Sequence, residues 1–350
     1  MPLVKGIDQP VRDYLANLPT PAEAGICVCS DPRGIPSAVS GKRYAYLLQR
    51  EYDAGKQAAL QFWRYDLESR SKFRLAAPPA PFAGVYNYGV AAACYVPFGG
   101  VLEDQPFVYV IISISAAPWC QLMAYNVLQN TWAVLLAIPG LAAALGTSIA
   151  ITNTSGAMGD FFALGANIRN RFLYISGNGG TLGGGAVVSN VDQYNMVTNA
   201  HVLLTGAGLV RTGAPGAGSK LAWLPNYPDR LYSNRGGGSV ILDYYSFSTN
   251  AWTPNTPPQL VATGEGTEIV TLYEAPGWMA VRPGDPGNEI LAIEGGGLNY
   301  QLVANIGDAI LPAAHASNAL IAWWIAGQYY MGAIPYGTTQ FKRIQIPMPL

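Results

Sequence analysis

The stretch Tyr245-Ser-Phe-Ser-Thr-Asn-Ala-Trp252 is a short polar turn between two bulky residues, and it decides the fold because it has three other copies. These are Tyr65-Asp-Leu-Glu-Ser-Arg-Ser-Lys72, Tyr125-Asn-Val-Leu-Gln-Asn-Thr-Trp132 and Tyr194-Asn-Met-Val-Thr-Asn-Ala-His201. The four turns align without a gap, and three of them place asparagine at one position, namely Asn130, Asn199 and Asn250. Because asparagine tolerates positive φ, the alignment predicts four equivalent β-hairpins.

The spacing of the copies indicates a repeat architecture. Their first residues lie 60, 69 and 51 residues apart, so each copy belongs to a unit larger than a hairpin. Blades of about 40 to 50 residues would give six or seven in a chain of this length. Two further units fit after Tyr245. One comprises Trp278–Val281, Ile290–Ile293 and Tyr300–Val303, and the other comprises Leu320–Trp324, Tyr329–Ile334 and Phe341–Ile346.

Glycines precede the two best copies: Gly184 and Gly185 come before Tyr194, and Gly236 to Gly238 come before Tyr245. This order of glycines, strand, tyrosine, turn and tryptophan resembles the kelch repeat over about half of the chain. Lys72 and His201 depart from the family pattern, which has tryptophan there. The resemblance implies a β-propeller whose last blade is closed by strands from both termini.

We therefore expect an all-β propeller of four-stranded blades, six in number within a range of five to seven. Residues 1–40 are expected to be an N-terminal segment, an arm or a closing strand, and residues 41–350 a single propeller domain. Val11 to Leu18 fits a short helix, and so does Leu141 to Leu145. The repeat positions are expected to be structural: Tyr65, Tyr125, Trp132, Tyr194, His201, Tyr245 and Trp252.

Charge is scarce and unevenly placed. Charged residues make up 12% of the chain, against a usual value of about 25%. Residues 75–168 contain only Glu103, Asp104 and Asp160. Such a neutral region predicts a surface covered by a partner. The alternative is an exposed surface of glycine, alanine and uncharged polar residues.

Membrane, secretory and nucleic-acid roles find little support in the sequence. Phe107 to Tyr125 carries no charge, but it contains serine, proline and glutamine, which favours two strands over a membrane span. Met1 to Lys5 lacks the apolar core of a signal peptide, so none is expected. The net charge of −1, with basic and acidic residues interleaved, gives no nucleic-acid footprint.

The candidates for catalysis are few. The four cysteines (Cys27, Cys29, Cys94 and Cys120) lack the spacing of a zinc site. Neither His201 nor His315 has an acidic neighbour in a recognisable motif, and Gly-x-Ser-x-Gly is absent. The glycine-rich segments 177–185 and 213–220 do not match a phosphate-binding loop. We therefore expect no catalytic residue, cofactor or metal, and no enzymatic activity.

Some sugar-processing propellers gather acidic residues at the axis. Asp192 and Asp243 both stand two residues before a repeat tyrosine, but the equivalent residues are Trp63 and Met123, so no ring of acids forms. Aromatic residues that could stack on sugars are nevertheless present: Trp119, Trp223, Tyr227, Trp278, Trp323 and Trp324. A carbohydrate-binding or receptor-binding propeller is therefore the alternative function, and a propeller glycosidase or lyase is a less favoured one.

The low charge and the abundance of glycine and alanine resemble structural proteins of bacteriophage particles. That resemblance implies a non-enzymatic, protein-interaction propeller of the virion, such as a tail nozzle, a tail-tip part or a capsid decoration. Its expected partners are other protein subunits, with self-association and a surface glycan as further options. It would be made in the host cytoplasm and located in the virion.

Overall fold

The architecture comes from a computed structural model. It describes residues 12–18, 26–30, 37, 40–51, 59–79, 88–96, 105–114, 120–137, 162–167, 172–177, 191–204, 220–236, 238–254, 262–263, 267–272, 274–283, 289–296, 299–305, 320–334 and 338–346. Within these ranges every regular element is a β-strand. No helix among them is long and apolar enough to cross a membrane.

The strands form six antiparallel sheets of four strands each in the described residues. Blade 1 consists of β2 (Ile26–Ser30), β3 (Tyr44–Glu51), β4 (Ala59–Asp66) and β5 (Lys72–Arg74). Blade 2 consists of β6 (Tyr88–Val96), β7 (Phe107–Ile114), β8 (Cys120–Asn126) and β9 (Thr131–Ala137). Blade 3 consists of β10 (Phe162–Asn167), β11 (Phe172–Gly177), β12 (Val191–Asn195) and β13 (Ala200–Leu204).

The second half of the ring repeats this order with shorter strands. Blade 4 consists of β14 (Leu221–Trp223), β15 (Arg230–Asn234), β16 (Leu242–Ser246) and β17 (Ala251–Pro254). Blade 5 consists of β18 (Glu268–Leu272), β19 (Trp278–Arg282), β20 (Glu289–Glu294) and β21 (Tyr300–Asn305). Blade 6 consists of β22 (Leu320–Ile325), β23 (Gln328–Ala333), β24 (Lys342–Ile346) and β1 (Arg12–Tyr14).

The innermost strands close a ring. Each one contacts the next in the order β2, β6, β10, β14, β18 and β22, and β22 returns to β2. This circuit is the geometry of a propeller. The predicted all-β propeller of six four-stranded blades is therefore confirmed, and both blades predicted after Tyr245 are present.

The last blade is completed by the N-terminal strand. Arg12 lies opposite Ile344 in the register of β1 and β24, and the amide of Leu15 donates to the Phe341 carbonyl at 2.8 Å. The helix predicted for Val11 to Leu18 is wrong, because pairing with β24 fixes Arg12–Tyr14 as a strand. Strand β2 also lies before residue 41, so the blades extend into the predicted N-terminal segment. The helix predicted for Leu141 to Leu145 lies outside the described residues.

The hydrophobic core lies between neighbouring blades rather than in one centre. Separate apolar clusters fill the junctions of blades 1 and 2, 3 and 4, 4 and 5, 5 and 6, and 6 and 1. At the junction of blades 4 and 5, a Cβ on Gly295 would lie 2.6 Å from a Leu224 side-chain atom and 2.7 Å from a Tyr227 ring atom. Glycine is therefore required there for the two blades to pack.

The four repeat turns are hairpins between the third and fourth strands of blades 1 to 4, as predicted. The residue five positions after each tyrosine has positive φ: Arg70 (62°), Asn130 (54°), Asn199 (56°) and Asn250 (54°). In the three asparagine copies, the tyrosine hydroxyl donates to the asparagine Oδ1. The donors are Tyr125 at 2.8 Å, Tyr194 at 2.7 Å, and Tyr245.

In the first three copies, the residue after the tyrosine caps the turn. The side-chain oxygen of Asp66 accepts bonds from the amides of Glu68 and Ser69, both at 2.9 Å. Asn126 and Asn195 make the same pair of bonds in their copies. These side chains satisfy amides that the turn leaves without strand partners.

The first copy lacks one of these interactions. Tyr65 is buried, and its hydroxyl has no hydrogen-bond partner in the part of the chain that the structure describes. Arg70 occupies the position of the asparagine that receives this bond in the other copies, and it does so with a positive φ. A buried polar group without a partner costs about 1–3 kcal/mol.

We expect Arg70→Asn to stabilise the protein by about 1 kcal/mol or more, because asparagine tolerates positive φ and accepts the bond from the Tyr65 hydroxyl. The measurement is the free energy of unfolding in denaturant. Arg70→Gly is the control, since it relieves the backbone without supplying an acceptor. Equal gains from both variants, or a loss from Arg70→Asn, would contradict this account of the hairpin.

A second prediction concerns Asp66. Burial alone would raise its pKa, but the Lys42 ammonium at 2.9 Å and the bonds from Ser69 and Glu68 outweigh burial and lower the pKa to about 2. A lowered pKa stabilises the fold above the ordinary carboxyl pKa, and this contribution is lost as the pH falls toward 2. Asp66→Asn, which keeps the turn bonds, should therefore cost about 1 kcal/mol or less at pH 7.

The cost of Asp66→Asn should disappear as the pH is lowered from about 4 to about 2, as measured by thermal unfolding of the parent and the variant. Asp66→Ala is the comparison, because it also removes the two turn bonds and should cost more at pH 7, about 1–2 kcal/mol. Equal costs for the two variants at pH 7 would show that the ion pair, and not the turn cap, carries the effect.

Candidate functional site

The repeat positions lie in the walls of the blades. Tyrosine faces its partner across each hairpin in the pairs Tyr65–Lys72, Tyr125–Trp132, Tyr194–His201 and Tyr245–Trp252. The four tyrosines are buried, Trp252 is buried, and Trp132 is half-buried. Their geometry gives them packing contacts rather than a solvent-facing site.

The remaining catalytic candidates are not brought together. His201 belongs to β13, but its side chain lies outside the described residues, as does all of His315. Asp243 is held by Arg235 through two bonds of 2.9 and 3.0 Å. The side chain of Asp192 is again outside the described residues, so the predicted equivalence of the two aspartates stays a prediction.

Cys27, Cys29 and most of the candidate sugar-stacking residues are buried or half-buried. Cys27 and Cys29 are buried, and burial raises the pKa of both thiols. The described residues contain no group of three or more side chains suited to a metal ion. Trp223 and Trp323 are buried, while Tyr227, Trp278 and Trp324 are half-buried in blade contacts. Trp119 lies outside the described residues.

The propeller has two ends, which differ in the strand connections that they carry. The connections from first to second strand and the repeat hairpins share one end, which we call the hairpin end. The other end, which we call the opposite end, carries the starts of the innermost strands. There Lys220 Nζ lies 3.3 Å from Glu268 Oε1, which joins blade 4 to blade 5. Arg282 lies beside Glu268 in the sheet register.

The pair Lys220–Glu268 is largely buried. Burial raises the pKa of Glu268, while Lys220 and Arg282 act against that rise. Sequence analysis missed this site because the two partners stand far apart in the chain. Glycoside hydrolysis ordinarily uses two carboxyl groups that flank the bond. At this end, Glu268 and Asp243 are each committed to a cation.

We expect Lys220→Met to destabilise the protein by up to about 3 kcal/mol, because it removes one of the two cations, Lys220 and Arg282, that offset the burial of the Glu268 carboxylate. The raised pKa of Glu268 gives the sign of the pH dependence: the penalty should be larger at pH 8 than at pH 4, where Glu268 is protonated. Adding Glu268→Gln to the variant should recover much of the loss at pH 8. Unfolding free energies at the two pH values test this, and a pH-independent penalty would contradict it.

The outermost strands of the blades differ in their content of charged residues and proline. Blades 1 and 6 end in strands with charged residues (β5 and β1), and blade 4 ends in β17, which contains Pro254. Charge and proline are the usual protection of an exposed sheet edge. The edge strands of blades 2 and 3, β9 and β13, contain no Asp, Glu, Lys, Arg or Pro. Strand β21 of blade 5 shares this composition.

Apolar side chains are exposed along these two edges. Val134 in β9 is 49% exposed and Val202 in β13 is 57% exposed. Leu128 and Val197, in the hairpin turns that lead into the same strands, are exposed as well. We call these four residues the neutral rim. Among the described residues, β9 and β13 each pair on one side only, so their outward backbone groups are available to a further strand or surface.

No protein-family model and no curated protein matches the sequence. The fold is similar to a protein of unknown function from Bacteroides thetaiotaomicron, with a TM-score of 0.55 and 9% identity over 97% of this chain and 73% of that one. It is also similar to the α-L-arabinanase of Penicillium chrysogenum, solved in complex with arabinobiose, with a TM-score of 0.55 and 10% identity over 97% and 98% of the two chains. Likeness at such identity establishes the propeller fold alone.

Proposed function

We propose that this chain is a non-enzymatic structural β-propeller that docks onto other protein subunits of a large assembly. The docking surface is the neutral rim of blades 2 and 3. The assembly is a bacteriophage particle, in which the propeller serves as a tail part or a capsid decoration. The observation that carries the proposal is the pair of unprotected, uncharged edge strands with exposed Val134 and Val202.

Two physical arguments support the rim as an interface. An exposed edge strand without charge or proline is a template for association with another chain. Residues 75–168, which include the strands of blade 2, contain only three charged residues. Charge is depleted in the core of protein interfaces, so a neutral surface is easier to desolvate. The edges of blades 1, 4 and 6 carry the protection that blades 2 and 3 lack.

We expect Val134→Lys to prevent incorporation into the assembly without changing the isolated fold, because a buried, unpaired ammonium is costly only once a partner covers it. The measurement is the amount of tagged protein found in purified particles, together with the thermal unfolding of the free protein. Val240→Lys is the matched control, since Val240 is also exposed but lies in blade 4.

The proposal is supported if Val134→Lys is excluded from particles while Val240→Lys is incorporated, with both melting as the parent does. Normal incorporation of Val134→Lys would overturn the assignment of the interface. Turnover of a polysaccharide by the purified chain would overturn the non-enzymatic assignment. A carbohydrate-binding propeller is the second candidate, and the observation that favours it is a cavity beside Arg64.

A further inference from the structure

A cavity of about 280 Å³ opens at the hairpin end between blades 1 and 2. Its wall is formed by the connection between β2 and β3, by the strands β3 and β4, and by the hairpin of blade 2. The polar side chains that line it include Ser40, Tyr44, Tyr46, Arg64, Tyr125 and Asn130. The described residues that line it include neither Asp nor Glu. Among its described lining residues the cavity therefore has one cation, Arg64, and no carboxylate.

The Arg64 guanidinium lies over two aromatic rings. Its guanidinium carbon lies 4.3 Å from the centroid of the Tyr44 ring and 5.5 Å from that of Phe73. Its Nε is buried and makes no hydrogen bond in the described part of the chain. A guanidinium fixed by stacking on rings keeps its planar set of donors oriented, which suits a carboxylate.

The nearby acidic residues are already paired with other cations. Asp66 binds Lys42 at 2.9 Å, and Glu68 binds Arg43 at 2.6 Å. No ion pair joins Arg64 to a described carboxylate. The positive charge in the cavity is therefore not neutralised by these neighbours, and an anion bound in the cavity would provide a counter-charge.

Other groups in the wall offer hydrogen-bond donors. The Oδ1 of Asn130 accepts bonds from the Tyr125 hydroxyl at 2.8 Å and the Ala76 amide at 3.0 Å, which leaves the Asn130 amide group to donate. The Ser40 hydroxyl accepts from the Lys42 amide and keeps its own proton. Burial raises the pKa of Tyr46, and raises that of Tyr125 to about 12, so both hydroxyls stay protonated.

We propose that this cavity binds a monosaccharide-sized acidic sugar, with its carboxylate on Arg64 and its ring hydroxyls on Ser40 and Asn130. The volume is close to the lower end of ligand sites, about 300 Å³, so it fits one sugar ring rather than a longer chain. A lone acidic side chain would leave much of it unfilled. Leu75 and Leu128, which also line the cavity, provide apolar surface for the C–H face of a sugar.

Calorimetric titration of the purified chain with glucuronate tests the proposal. Glucose, acetate and N-acetylglutamate amide serve as the neutral sugar, the bare carboxylate and the acidic side-chain mimic. We expect glucuronate to bind at least about tenfold more tightly than each of them, because only glucuronate combines the charge-assisted bond with the ring hydroxyls. Arg64→Met should weaken glucuronate binding by at least about tenfold.

Arg230→Met is the matched control. Arg230 also lies over two aromatic rings. Its guanidinium carbon is 4.3 Å from the centroid of the Tyr244 ring and 5.3 Å from that of the Tyr227 ring. Unlike Arg64, it belongs to blade 4. We expect this variant to bind glucuronate as the parent does. Arg64→Lys is the second variant, in case the methionine variant folds poorly; it keeps the charge, loses the planar donors and should also bind more weakly.

Several results would overturn the proposal. These are the absence of glucuronate binding to the parent, binding that survives both Arg64 substitutions in folded protein, and equal or tighter binding of N-acetylglutamate amide. The last result would assign the cavity to an acidic side chain of a protein. Leu128 belongs to both the cavity wall and the neutral rim, but the two tests stay separate, because neither Val134 nor Val240 lines the cavity and Arg64 is not part of the rim.

Discussion

The closed ring of six inner strands is the constraint on which the rest of the structure depends. Each blade buries its faces only against its two neighbours, so the apolar clusters between blades exist only if the circle closes. Closure occurs where β1 pairs with β24 and where Leu15 and Leu18 are buried between blades 6 and 1. The two ends of the described chain are thereby held together, and the exposed features occur on a fixed frame.

Three ion pairs among the described residues stabilise this frame. Lys220–Glu268 joins two blades, Arg235–Asp243 fixes one connection, and Lys42–Asp66 supports a hairpin. The outer strands of blades 2 and 3 contain no Asp, Glu, Lys or Arg, and Arg64 forms no ion pair with a carboxylate among the described residues. The proposed interface and the proposed acidic-sugar site are neighbours on the ring, because Leu128 in the hairpin of blade 2 belongs to both.

Local chemistry made much of the fold predictable from the sequence. The hairpins follow from tyrosine, turn cap and positive-φ asparagine, which are contained within eight residues. The strands of blade 5 were predicted, but its hairpin was not recognised as a further copy of the repeat turn, because Ile293 and Tyr300 take the places of tyrosine and tryptophan in the same pairing. Strand β1 was mistaken for a helix because its partner strand lies at the other end of the chain. The kelch resemblance and the virion role stay predictions.

The cavity beside Arg64 and the ion pair Lys220–Glu268 were not predictable, because each joins residues from different blades. Arg64 can be identified as a candidate ligand-binding residue only from the structure, in which it lies over the rings of Tyr44 and Phe73 and shares a cavity with Asn130 of the next blade. Lys220 and Glu268 meet only once blades 4 and 5 are adjacent. The uncharged composition of β9, in contrast, could be read directly, although its position at the outer edge of blade 2 could not.

Hydrogen–deuterium exchange of β9, compared between the free protein and the protein in its assembly, tests the central claim most directly. The amides of β9 that point away from β8 have no strand partner among the described residues and should exchange rapidly in the free protein. The account predicts that these amides become protected in the assembly, while those at the outer edge of β17 in blade 4 exchange as before. Unchanged exchange in β9, or protection confined to β17, would contradict it.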